Sequence, residues 1–206
     1  MKQFVLVLAL SVAGGVPAGG SGAATSPVEA IDGGYVIQSG HPETLVCFES
    51  HAPMESFEGT TRKVTGRILF DPAAIGDSVT VEVEVDLATL DTGIALRNRH
   101  MRENHLETDA YPTAVFRGGR VTGRSADAVG VGDTVTLELA GTFTLHGVTR
   151  ELTVPVTLTR RESVLAVGTH FDVHLSDYEI ARPRFLLLKL DEVQNVTVQL
   201  IVVPGE

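Results

Sequence analysis

Tryptophan is absent from this 206-residue chain, cysteine occurs once, and aromatic residues make up only 5% of it. A single cysteine excludes an internal disulfide, and its flanks, "LVCFE", predict that Cys47 is a small buried core residue rather than a reactive thiol. Positive charge is also short. Lys and Arg number 16 against 26 Asp and Glu, a formal net charge of −10, which is the wrong sign for a phosphate backbone and argues against nucleic acid as a partner. Nucleophile and metalloprotease motifs are missing: there is no Gly-x-Ser-x-Gly and no His-Glu-x-x-His. The acids Glu82, Glu84 and Asp86 alternate with valines, so they sit on a wet strand face rather than in an apolar pocket that would raise a pKa. The expectation is a protein that is not an enzyme, with no catalytic residues and no cofactor. No apolar run is long enough to span a bilayer; the one from Phe4 to about Ala13 follows Lys2 and precedes small residues, the pattern of a secretory signal peptide over 1–24 with cleavage after Ala18 or Ala24. That predicts a periplasmic or secreted protein with one domain over 33–204.

What the chain has in abundance is a period of two. In "VTVEVEVDL", Val79, Val81, Val83, Val85 and Leu87 alternate with Thr80, Glu82, Glu84 and Asp86, giving one apolar and one polar strand face. Leu137, Leu139, Phe143 and Leu145 repeat the pattern, as do Leu152, Val154, Val156 and Leu158, and then Leu165, Val167, Phe171, Val173 and Leu175. Shorter candidates, "GYVIQ", "TLVCFES", "RKVTGRILF", "TAVFRGGRV" and "VTVQLIVV", bring the count to eight or nine strands divided by turn signals such as "FDPAAIGDS", "HGVTR" and "VGVGD". Half-apolar strands in this number bury their faces economically in a sandwich or a closed barrel, and closure also removes exposed edges. The exception is the long irregular connection from Ala88 to Tyr111. Within it, Ile94, Arg97 and Met101 fall at helical spacing with Leu106 beyond, predicting a short helix over roughly 94–106 whose apolar side caps one end of the barrel while its charges stay in water.

Two clusters have the composition of metal sites. His100 and His105, with Glu103 between them, would lie about 140° apart around a helix and cannot face one ion easily. His170, Asp172 and His174 in "HFDVH" share one side of a strand, but the outer two are about 13 Å apart at strand rise. Their side is opposite Val167, Phe171 and Val173, hence exterior. An extracytoplasmic metal-binding or metal-dependent hydrolytic protein built on His170 and His174 is the alternative function.

The ordered series "VTGRILFDP", "LATLDTG", "LRNRHMRENHLETDAYPTAVFRG", "AGTFTLHGVTRELTVPV" and "LSDYEI" resembles the YceI-like family of exported bacterial proteins over about Val36 to Val203. On this resemblance Gly66, Phe70 and Asp71 correspond to a strand and turn, Asp91, Thr92 and Gly93 to the "DTG" turn, Tyr111, Pro112 and Phe116 to the start of the next strand, and Gly141, Leu145, Gly147, Val148 and Thr149 to a hairpin with His146 in a polar slot. The chain departs from the family at Arg97-Asn98-Arg99, where many members have an Arg-Asp pair, and at Asn104-His105-Leu106. The resemblance implies an all-β fold, an extended eight-stranded antiparallel lipocalin-like β-barrel, that binds a polyisoprenoid of quinone or prenyl phosphate type without catalysis.

For such a barrel the apolar strand faces predict a ligand tunnel lined by Val81, Val83, Val85, Phe116, Leu139, Phe143, Val154, Val156, Val167, Phe171 and Val173, with Met101 at the mouth and Arg97 placed for an anionic head group. Valines are short, which favours an interior left open. Burying a methylene from water is worth roughly 0.8 kcal/mol but almost nothing from a bilayer, so a carrier of this kind would load and unload through transient contact with a membrane or membrane protein.

Overall fold

The computed structural model describes residues 34–51, 56–185 and 188–205; the expected leader at 1–24 lies outside them. The strands are β1 (Tyr35–Ile37), β2 (Leu45–His51), β3 (Ser56–Thr61), β4 (Val64–Leu69), β5 (Ser78–Asp86), β6 (Thr113–Arg124), β7 (Thr134–Leu145), β8 (Val148–Arg160), β9 (Leu165–His174), β10 (Arg184–Phe185), β11 (Leu188–Lys189) and β12 (Val193–Pro204), with one α-helix, α1 (Ala95–Asn104), among the described residues. Eight strands close an antiparallel barrel in the order β1, β4, β5, β6, β7, β8, β9, β12 and back to β1. The eight-stranded fold and the helical connection agree with the sequence expectation.

Alternation sets the faces, as on β8, where Val154, Val156 and Leu158 are buried between exposed Thr153, Pro155 and Thr157. Sharp turns rely on residues that tolerate positive φ. The β7–β8 hairpin turns through His146 at φ 51° and Gly147 at φ 75°, a two-residue loop whose handedness matches the strand twist. Gly66, at φ 152°, faces the Glu82 carbonyl so closely that a Cβ would lie 2.0 Å from its oxygen, which ties this position to glycine.

The barrel has two unlike ends. At the lower end, β1 pairs with both β4 and β12, and two loops fold inward over the opening. Val129 donates its N–H to the Pro72 carbonyl at 2.8 Å, and Ile75 donates to the Asp127 carbonyl at 2.7 Å. Ile75, Val129 and Pro72 are buried there with Tyr35, Leu165 and Val202, and each large apolar side chain so buried is worth roughly 1.5–3 kcal/mol.

At the upper end the cylinder comes apart. β8 pairs with β9 only from Val156 to Arg160, although β7 pairs with β8 down to Val148. The residue at which the β9 ladder stops is Pro155, which has no N–H to donate. Beyond it the seam is filled by the segment after β9, where Tyr178 and Ile180 are buried and Arg150 donates from Nε to the Asp177 carbonyl at 3.0 Å. On the opposite side β12 leaves β1 and pairs with β2, so the β2–β3 hairpin extends the wall. The 86–106 connection closes against that hairpin: Thr60 and Asp91 exchange backbone hydrogen bonds at 2.9 Å.

Candidate binding cavity

Two cavities lie along the barrel axis. The lower one is about 100 Å³ and is lined by strand residues, among them Ile68, Val79, Leu137, Leu158 and Leu200. The upper one is about 810 Å³, within the usual range of small-molecule pockets. Its walls are the ends of the strands (Val46, Phe48, Phe57, Leu145, Val196), the 86–106 connection (Leu87, Leu90, Met101, Leu106) and the segment after β9 (Leu175, Ile180, Pro183). Arg97, His100, His105 and Gln194 are its polar lining residues. The cavity reaches the surface along α1, where Ile94 is 50% and Leu96 55% exposed.

The residues predicted for the tunnel divide between the two. Val81, Val83, Phe116, Leu139, Val154, Val156 and Val167 line the lower cavity only, Val173, Met101 and Arg97 the upper only, and Val85, Phe143 and Phe171 both. The expectation that short valines leave the interior open is therefore corrected for the lower half: leucines, isoleucines and the inturned loops fill it. Part of the larger space is lined by residues that the strand alternation does not reveal. Leu90, Ile180 and Pro183 come from turns, and their only signal in the sequence is a place in the irregular connections.

Local bonding explains how α1 is held. Asn98 is buried, and its Oδ1 accepts from the Thr92 backbone N–H at 2.8 Å and from the Thr92 hydroxyl at 2.7 Å. Its Nδ2 donates to Asp91 Oδ1 at 2.7 Å, and Gly93 N–H donates to the same oxygen at 2.8 Å. Asn98 thus stitches the Asp91-Thr92-Gly93 turn to the first turn of the helix, and its amide, with the Gly93 N–H, holds the Asp91 carboxyl below its ordinary pKa. The departure at position 98 has a structural use here: an amide can accept from Thr92 and donate to Asp91 at once, which a carboxylate cannot.

Arg97 donates from Nε to the Thr92 hydroxyl at 2.9 Å and from Nη2 to the Thr92 carbonyl at 2.8 Å, with its guanidinium 4.1 Å above the Phe57 ring centre. Arg102 donates from Nη2 to the Leu90 carbonyl at 2.7 Å. The expectation that the charges of this helix stay in water is corrected for these two: guanidiniums bridge backbone carbonyls that the irregular connection leaves without ladder partners. His105 meets the Ala181 carbonyl through Nδ1 at 3.0 Å, and burial pushes its pKa down.

Cys47 is corrected too. Val46 and Phe48 on either side line the cavity, so Cys47 points outward and is only partly buried; burial and the nearby Glu58 and Glu49 carboxylates raise its thiol pKa to about 11, keeping it protonated. His170, Asp172 and His174 lie on the outer face of β9, with both histidines exposed. His170 Nδ1 lies 2.9 Å from the Thr197 hydroxyl, and Asp172 accepts from Asn195 Nδ2 at 2.6 Å. Among the described residues, no three His, Cys, Asp or Glu side chains converge as metal ligands do.

The profile of the YceI-like domain matches residues 35–202. The chain belongs to the YceI-like family. Among relatives in sequence, a UPF0312 protein of Vibrio campbellii is 28% identical over 156 residues, covering 75% of this chain and 72% of that protein. A UPF0312 protein of Pseudomonas fluorescens is 32% identical over 127 residues, covering 60% and 61%. In three dimensions the chain is similar to a polyisoprenoid binding domain from Saccharophagus degradans implicated in plant cell wall breakdown, with a TM-score of 0.68 at 17% identity over 83% of this chain and 98% of that one. It is also similar to Burkholderia cenocepacia BcnA, with a TM-score of 0.66 at 17% identity over 77% and 95%. The YceI-like barrel is thus common to proteins of widely diverged sequence.

Proposed function

We propose that this protein is an exported carrier that binds a polyisoprenoid lipid in the upper cavity, chain inward and polar end toward α1, and that it catalyses no reaction. The observation that carries the reading is the 810 Å³ cavity, whose polar lining residues are few while its walls are aliphatic and aromatic. An apolar chain is what such walls favour, since every methylene moved out of water contributes roughly 0.8 kcal/mol. Family membership supports it, as does the polyisoprenoid-binding neighbour of the same fold.

Arg97, His100 and His105 form the polar end of the site. The Arg97 guanidinium, already oriented by Thr92 and Phe57, is suited to an anionic or carbonyl-bearing head group. The exposed Ile94 and Leu96 at the rim suit brief contact with a bilayer, from which transfer costs little because lipid tails are as apolar as the cavity. Such a carrier exchanges its ligand slowly through water and quickly at a membrane.

Organic extraction of the purified protein followed by mass spectrometry tests the reading. Isoprenoid is expected from the wild type and should be lost in Phe171→Asp and in Val173→Asp, both of which place a carboxylate in the cavity wall. A wild-type extract without isoprenoid, from protein that binds none when mixed with prenyl lipid vesicles, would overturn it.

A further inference from the structure

Resting on the carrier reading, we propose that Phe143 is the floor of the upper cavity and sets the longest chain this protein accepts. The two cavities share five lining residues, Val85, Ala114, Phe143, Phe171 and Val198. Shared walls at one level place the cavities one above the other, and on this proposal these side chains form the partition between them. Phe143 is the best-braced part of that partition: its ring meets Phe171 edge-on at 5.7 Å and Tyr178 edge-on at 5.6 Å, and Tyr178 is itself buried. Edge-to-face contacts on two sides resist rotation of the ring.

The neighbouring aromatic does not share this task. Phe116, directly across from Phe143 on β6, lies over glycines: a Cβ on Gly118 would fall 2.5 Å from its ring, and one on Gly141 2.8 Å. It therefore rests along the wall and lines the lower cavity only. Below Phe143 there is less to gain, since that space is about 100 Å³ against about 810 Å³ above it. Chain length is thus selected by a ring two residues beyond a glycine on the same strand face, not by the length of the barrel.

The test uses the full mature protein and a ladder of linear prenyl alcohols, with Kd measured for each. Affinity is expected to rise about fourfold for every methylene accommodated and then to stop rising at one length. Phe143→Ala, or Phe143→Leu where the alanine variant does not fold, should move that break to longer homologues. Leu200→Ala enlarges the lower cavity from below without touching Phe143; alone it should leave the break in place, and combined with Phe143→Leu it should move it further. Affinity that climbs through the whole ladder in the wild type would overturn the floor while leaving the carrier intact. A break that Leu200→Ala alone moves, or one that no Phe143 variant moves, overturns the floor in the same way. Failure of every prenyl alcohol to bind overturns the carrier reading and the floor with it.

Discussion

The two halves of this barrel are made of the same strands with the same alternation, yet one is packed and the other hollow. In the lower half every neighbouring pair of barrel strands stays hydrogen-bonded, with bulges along β5 and β6, two bounding loops turn inward, and side chains such as Leu165, Val129 and Val202 have almost no exposure. In the upper half β8 parts from β9 at Pro155, β12 changes partner from β1 to β2, and the cap is a helix bonded to the rim rather than side chains reaching into the space. Strand composition does not distinguish the halves; the behaviour of the edges and connections does. A closed eight-stranded cylinder can be filled by its own side chains or hold one small ligand; here the filled part is where the wall stays closed, and the larger cavity lies where the wall parts and is patched by other segments.

The largest expected difference between the halves is in stability. Leu165→Ala, in the packed half, should cost about 2–5 kcal/mol, while Val196→Ala, on the wall of a space that is already open, should cost under about 1 kcal/mol; denaturant titration of both compares the halves directly. Equal losses would mean that the upper cavity collapses in solution.

Next is the attachment of the cap. Asn98→Ala strips the buried Thr92 N–H and hydroxyl of their acceptor and should cost about 1–3 kcal/mol, with chain retention falling more than global stability if only the cap loosens. The same stitch predicts an acid limb. Asp91 has a folded pKa below its unfolded one because Asn98 and Gly93 donate to its ionised form, so its contribution is fully present above the ordinary carboxylate pKa and is lost as pH falls through the lowered value. Asp91→Asn should flatten stability against pH in that acidic window; an unchanged acid limb would contradict the assignment.

A smaller effect, of opposite sign, belongs to the packed half. Thr169 lines the lower cavity, and its hydroxyl is buried without a hydrogen-bond partner among the described residues. Thr169→Val keeps the shape and removes an unsatisfied group, so it should stabilise the fold by about 1 kcal/mol, readable as a rise in Tm. Smallest of all, His170→Gln with His174→Gln should change stability by less than about 0.5 kcal/mol and leave extracted lipid unaltered, since both side chains are exposed on β9; loss of a bound metal on substitution would revive the metal-site alternative.

Closure into a barrel rather than a sandwich is implied only by the family resemblance, whereas the all-β character, the inward faces of the long alternating strands and the place of the helical connection at 95–104 follow from the order of residues. Those properties are local: a period of two and a turn signal act over a few residues, and burial of an apolar face leaves little choice of orientation. The hairpin through His146 and Gly147 is legible for the same reason, and the Asp91-Thr92-Gly93 turn is legible through the family resemblance. It took the folded chain to reveal that Val81, Val83 and Val156 line a small void while Leu87, Leu90 and Ile180 surround or seal a large one, that Arg97 and Arg102 bridge backbone carbonyls, and that Cys47 faces outward. An inward valine reads the same whether a loop is packed against it or a cavity lies beyond it, because that difference depends on the separation of strands and loops distant in the chain, which no local pattern encodes.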